Sequence, residues 1–154
     1  MAQAATISTE TLHELVVSMV GAEAWRSRAG SGTGSIFTME FGPPLPDNAR
    51  QGEFSLMVYC AWRIGAAGNI LTSWHDDSES CLAPGLAALE GAKVRHVELS
   101  GWKDLTIQFD NGQELHLFVD FSPQHDFDTS WFIIQHGKFC YSVNTDNTVS
   151  REST

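Results

Sequence analysis

The chain has 154 residues, 42% of them hydrophobic and 18% charged, with a formal net charge of −10 and a pI near 4.8. That is the size of one domain and enough apolar material for a core without staples, which excludes a disordered chain. The acidic balance repels nucleic-acid phosphates and anionic lipid and favours basic partners, so neither nucleic acid nor membrane is expected to bind.

No apolar run approaches the roughly 18 residues of a membrane span. The N-terminus lacks a basic segment followed by an apolar one, so no signal peptide is read. Cys60, Cys81 and Cys140 are odd in number, far apart and form no CxxC, which points to neither a disulfide framework nor a zinc site. A protein of the reducing cytoplasm, without metal or cofactor, is the simplest expectation. One domain over 1–154 is expected, with an ordered core at about 8–144. No internal repeat or low-complexity tract is apparent, and the polar ends at 1–6 and 145–154 are expected to fray.

In chain order, Ser8 or Thr9 caps a first helix with Glu10 in its first turn. Leu12, Leu15, Val16, Met19 and Val20 form its apolar stripe, and Gly21 ends it. The glycine-rich stretch 28–34 lacks GK[ST] and GxGxxG, so it reads as a turn and not a phosphate cradle. Ile36 to Phe41 reads as a strand, and Pro43, Pro44 and Pro46 as the loop after it.

Residues 54–64 alternate without a break. Phe54, Leu56, Val58, Cys60, Trp62 and Ile64 take one face, and Ser55, Met57, Tyr59, Ala61 and Arg63 the other. Residues 65–68 turn the chain into a strand from Asn69 to His75. Pro84 to Glu90 reads as one or two helical turns closed by Gly91, followed by a strand from Lys93 to Leu99.

Two hairpins are tested by parity. A three-residue loop, Asp110-Asn111-Gly112, sets Ile107 opposite Leu115 and Leu105 opposite Leu117, with Gly112 in a left-handed position. For the last hairpin, a two-residue His136-Gly137 turn sets Ile134 opposite Phe139 and Phe132 opposite Tyr141. These elements add up to an α+β fold: a mainly antiparallel, strongly curved sheet or partial barrel of about seven strands, packed on the N-terminal helix.

Chemistry-bearing residues are sparse. Arg63 faces away from Trp62, and if that face is covered it needs a carboxylate from Asp76, Asp77 or Asp120, or it grips an anion in a cleft beside Tyr59. His75, next to Asp76 and Asp77, has the makings of a base or a ligand, with the segment 125–128 as a remote second contributor. His116 lies on the half-polar row Glu114-His116-Phe118-Asp120. Trp74 and Trp102, at strand ends, are the tryptophans placed to line a pocket or an interface, whereas Trp25, Trp62 and Trp131 suit a core or rim. No motif supplies a nucleophile beside a base, so no catalytic residue is assigned and enzymatic activity is not favoured.

The run Cys60-Ala61-Trp62-Arg63-Ile64, with Ile70-Leu71-Thr72-Ser73, Asp76 and the segment 104–112, resembles small uncharacterised bacterial proteins that carry a C-x-W-R-I strand. The resemblance spans about residues 35–143 and implies an accessory-gene product, such as a toxin-immunity protein or a gene-cassette product. It carries over no active-site residue. The favoured expectation is a non-enzymatic binding protein of immunity type that neutralises a basic protein. The alternative is a small-molecule binder or modest enzyme, with a cleft lined by Tyr59, Arg63, His75 and His116. A third is a homodimer formed through an unpaired strand edge.

Overall fold

The computed structural model describes residues 4–30, 34–121 and 128–154. Its strands are antiparallel throughout and fall into two sheets. The first sheet takes β1 (Ala5–Ile7), β2 (Ala24–Gly30), β3 (Gly34–Leu45), β4 (Asn48–Val58), β10 (Thr129–Gln135), β11 (Phe139–Asn144) and β12 (Val149–Ser153) in the order β1-β12-β11-β10-β4-β3-β2. The second takes β5 (Ala61–Ala66), β6 (Asn69–Ser73), β7 (Val94–Leu99), β8 (Leu105–Phe109) and β9 (Gln113–Phe118) in the order β6-β5-β9-β8-β7. Both orders are open. The expected single curved sheet or partial barrel of seven strands is therefore corrected to two open sheets with one apolar interior.

The interior joins both inner faces. Phe37 of β3 meets Trp62 of β5 edge-on at 4.8 Å between ring centroids, and Phe41 of β3 stacks on Phe109 of β8 at 6.4 Å. Such pairs add stabilisation beyond the area they bury. The first helix, α1 (Thr9–Val17), starts as the sequence predicts, with the Ser8 hydroxyl accepting from the Thr11 N–H at 3.1 Å. Leu12, Leu15, Val16 and Met19 are buried in the shared core and Val20 is exposed. The helix packs beside β7 and is not wrapped by the seven-stranded sheet, which corrects its expected place.

The continuous strand expected at 54–64 is divided. Val58 ends β4 in one sheet and Ala61 begins β5 in the other. At the crossing, the N–H groups of Tyr59 and Cys60 both donate to the Ser130 carbonyl, at 2.9 and 3.1 Å. Phe54, Leu56, Val58, Trp62 and Ile64 all point into the interior, because both sheets face the same core.

The two crossings reveal a duplication. The order helix, three-strand meander, crossing, hairpin occurs as α1-β2-β3-β4 then β5-β6, and again as α2 (Ala83–Ala87)-β7-β8-β9 then β10-β11. Each terminal hairpin joins the other half's meander. Trp62 and Ile64 pair with Leu117 and Leu115, and Trp131 and Ile133 pair with Val58 and Leu56. Each tryptophan is fully buried, and each indole Nε1–H donates to a backbone carbonyl of its own half, Ser35 at 2.7 Å and Lys103 at 3.1 Å. Gly21 and Gly91 follow the two helices with φ of 92° and 91°, a region that glycine enters at little cost. Beyond them Glu23 bridges Lys93 across the pseudo-two-fold axis. The expectation of no internal repeat is thus corrected at the level of structure.

Three further differences follow from pairing. The ends expected to fray include β1 and β12, whose antiparallel pairing Ile7↔Val149 to Ala5↔Arg151 satisfies backbone groups that side-chain polarity does not report. The prolines at 43 and 44 lie within β3, where the register shifts between Phe41 and Pro44, a place where a missing N–H is tolerated. The last hairpin has a three-residue loop, pairing Gln135 with Phe139 and Ile133 with Tyr141, in place of the two-residue turn. The hairpin at Asp110-Asn111-Gly112 has the expected pairs Ile107↔Leu115 and Leu105↔Leu117, with Gly112 at φ 85°.

Candidate binding site

The crossings leave a crevice where the two sheets part. Tyr59 and Cys60 line it from the first crossing, Asp120, Asp128, Thr129, Ser130 and Phe132 from the second, and Thr145 from the turn after β11. Its cavity volume is about 530 Å³, within the roughly 300–1,000 Å³ of small-ligand sites.

Backbone geometry makes this crevice polar. Ser130 is buried, and its carbonyl is occupied by two N–H groups of the opposite crossing. The register of β10 slips between Thr129 and Trp131, which leaves Ser130 out of the ladder. The Thr145 N–H donates to the Asp128 carbonyl at 2.8 Å and ties the β11–β12 turn to the rim. Thr145 is only 9% exposed, and its Oγ1 has no hydrogen-bond partner among the described residues. A buried hydroxyl of this kind costs stability unless something meets it.

The rings of Tyr59 and Phe132 lie 6.3 Å apart and form one wall. Among the described residues the lining contains two carboxylates and no lysine, arginine or histidine. Burial pushes the Cys60 thiol up to about 12, and the charge of Asp104 adds to the effect. The thiol is therefore held protonated and is a poor nucleophile.

Beneath the crevice, Lys103 is buried and sits at φ 66°. Its Nζ donates to Asn147 Oδ1 at 3.0 Å and the Gly101 carbonyl at 3.3 Å. It clamps the β7–β8 turn to the β11–β12 turn. Asp104 Oδ1 accepts the Val119 N–H at 2.9 Å and fixes the start of the second crossing.

The residues singled out from the sequence lie in four places. Tyr59 is in the crevice. Arg63 and His116 are cross-strand neighbours on the outer face of the five-stranded sheet. Arg63 has no ion pair among the described residues, and its guanidinium lies over the Phe118 ring at 4.4 Å to the centroid. That cation–π contact replaces the expected acidic partner. His116 has both nitrogens engaged, Nε2 with Glu114 at 3.0 Å and Nδ1 with Thr106 at 3.1 Å. Both nitrogens are thereby withdrawn from proton transfer to a ligand.

Trp74 and His75 stack on each other at 4.1 Å in the turn after β6. Asp76 accepts from the Ser73 N–H and the Thr72 hydroxyl, which hold its carboxyl below the usual range. Asp77 caps the π-helical turn Ser78–Leu82, and the N–H of Ser80 does the same to it. Trp102 is 66% exposed in the β7–β8 turn, 6.5 Å from Phe121. The cleft expected to join Tyr59, Arg63, His75 and His116 does not form, because Tyr59 lies in the crossing between the sheets while Arg63 is carried onto the outer face of β5. His125, Asp126 and Phe127 lie outside the described residues.

Sequence reasoning misses Ser130 and Thr145 as site residues, and it considers Asp128 only as a remote ligand beside His75. Nothing in their spacing joins them to Tyr59, since the crossing of two distant segments does so. Comparisons with protein-family models, with curated proteins and with solved structures each find no match.

Proposed function

We propose that this chain is a non-enzymatic binding protein whose crevice grips a basic group of its partner, in the manner of an immunity protein that neutralises a basic protein. The observation that carries this reading is the lining itself: Asp120 and Asp128 beside Tyr59 and Phe132, with no basic side chain among the described residues to answer the carboxylates. A lysine or arginine side chain suits such a lining, its stem on the rings and its head at the carboxylates. The Thr145 hydroxyl supplies a further acceptor. The net charge of −10 speeds the approach of a basic partner, and the effect weakens as salt rises.

The crevice volume also admits a free small cation, which is the second reading. Titration with arginine amide, followed by backbone amide shifts, tests the site. Shifts are expected at Tyr59, Ser130 and Thr145, reduced at least tenfold in apparent affinity by Asp120→Asn with Asp128→Asn. Glutarate, an anion of similar size, should leave these signals still. Equal response to both probes, or no response to arginine amide, overturns the proposal.

A further inference from the structure

Each sheet has two edges, and three of these four are blunted. β1 is three residues long. β2 carries Arg26 and Arg28, with Arg26 at φ 49° and two register shifts. β7 carries Arg95, His96 and Glu98 and a register shift at its start. Short length, charge and bulges are the usual guards against strand addition.

The fourth edge, β6, differs. Residues 64–75 contain no Asp, Glu, Lys or Arg. The register slips between Thr72 and Ile70, which leaves Leu71 without a cross-strand partner. Instead of presenting charge, this bulge presents Ile70 at 61% and Leu71 at 54% exposure.

The duplication shows what the fold does with such an edge. β6 in the first half corresponds to β11 in the second, since Ile64 pairs with Thr72 as Ile133 pairs with Tyr141. β11 is covered by the antiparallel strand β12, over the register Phe139↔Ser153 to Val143↔Val149. Among the described residues no strand takes that position beside β6.

We infer that β6 pairs antiparallel with β6 of a second copy, about a two-fold axis near Leu71, and that the five-stranded sheets of the two copies become one. Charge favours this occupant. The chain is acidic, and two copies repel except where their contact is uncharged and their carboxylates stand apart. Each Asp76 carboxylate sits on the Ser73 N–H, and in this register the two Ser73 residues lie four residues apart, roughly 13 Å at about 3.3 Å per residue. That is beyond the screening length of about 8 Å. Each contact is made twice, as a closed dimer requires.

Asp76 sets the limit of the pairing. Its carboxylate takes the Ser73 N–H at 2.9 Å, so the shared ladder is confined to Ile70–Thr72. This makes a reversible dimer and gives the proposal a variant of each sign. The inference stands apart from the crevice, which lies at the sheet junction.

The test is light scattering of the full chain from about 10 μM to 1 mM, alongside amide exchange at Ile70 and Leu71. The mass is expected to rise from 16.9 kDa toward twice that value, with exchange slowing at the higher concentrations. Leu71→Lys, at an exposed position, should weaken the dimer at least tenfold with circular dichroism unchanged. Asp76→Ala, which frees the Ser73 N–H, should tighten it several-fold. A monomer throughout, including one whose β6 amides are protected only by an added extended peptide, overturns self-pairing. So does a dimer that neither variant moves.

Discussion

The two ends of the pseudo-two-fold axis are built from the same strands and behave oppositely. At one end the segments after the two helices are stitched together. The N–H groups of Gly21, Ala24, Gly91 and Val94 donate to Val94, Ala92, Ala24 and Ala22, and Phe41 stacks on Phe109 below them. At the other end the crossings part and leave carboxylates, hydroxyls and an unanswered Thr145. The difference teaches that duplication supplies the frame, while departure from symmetry supplies the site. At the stitched end each of these four N–H groups meets a carbonyl of the other half. At the open end the duplication sets Ser130 against Ala61 and Asp128 against Tyr59, so their polar groups are not repeated.

The strongest way to break the comparison is to empty both ends. Phe109→Ala and Trp131→Ala should each cost about 3–5 kcal/mol, a fall of roughly 10 °C in melting temperature. Calorimetry would read it. Only Trp131→Ala, which removes the floor and the bond to the Lys103 carbonyl, should also change the arginine amide response.

Lys103→Met comes next. It keeps the stem and removes two charge-assisted bonds, and a loss of about 2 kcal/mol in denaturant titration is expected. Thr145→Val sharpens the contrast, because it has the opposite sign. Replacing an unpartnered buried hydroxyl with an isosteric methyl should stabilise by about 1 kcal/mol while weakening ligand response. A polar group that costs stability and aids binding marks a functional place.

The smallest effect is acid dependence. Asp76, Asp77 and Asp146 are held below the ordinary carboxylate value of 3.8 by hydrogen bonds to the charged form, chiefly from Ser73, Ser80 and Thr148. Their contribution is complete above that value and is lost as pH falls through their folded values. Asp76→Asn should therefore lower stability slightly at neutral pH, flatten the stability curve below about pH 3.8 and converge with the unsubstituted protein at the acid end. A variant that keeps the original slope below pH 3.8 would contradict this.

Much of this fold is legible in the sequence, and the unread part has one cause. Alternation from Phe54 to Ile64 reports which side chains point inward, and they do. It does not report which strand lies alongside, so the change of sheet at Tyr59–Cys60 leaves no mark in the pattern. The hairpin at 110–112 is readable because only one parity buries Ile107 and Leu115 together. The hairpin at 136–138 is not, because Phe132 and Ile134 are as apolar as Trp131 and Ile133, and both parities look satisfied. Two halves that match in Gly21-Ala22-Glu23 and Gly91-Ala92-Lys93, but differ in strand lengths, show no repeat until they are laid on each other. The candidate site inherits this blindness: of its lining, Tyr59, Asp120 and Asp128 draw notice before the crossings are known, each for a different expected site.

The exchanged hairpins also govern how the molecule comes apart. Since β5 rests on β9 and β10 rests on β4, neither half holds its complete sheet without the other, and melting is a single event. A protease cut in the exposed turn at Trp74–Asp77 would leave two polypeptides that remain clasped through those two seams. The nicked protein would run as two bands once denatured and as one particle before.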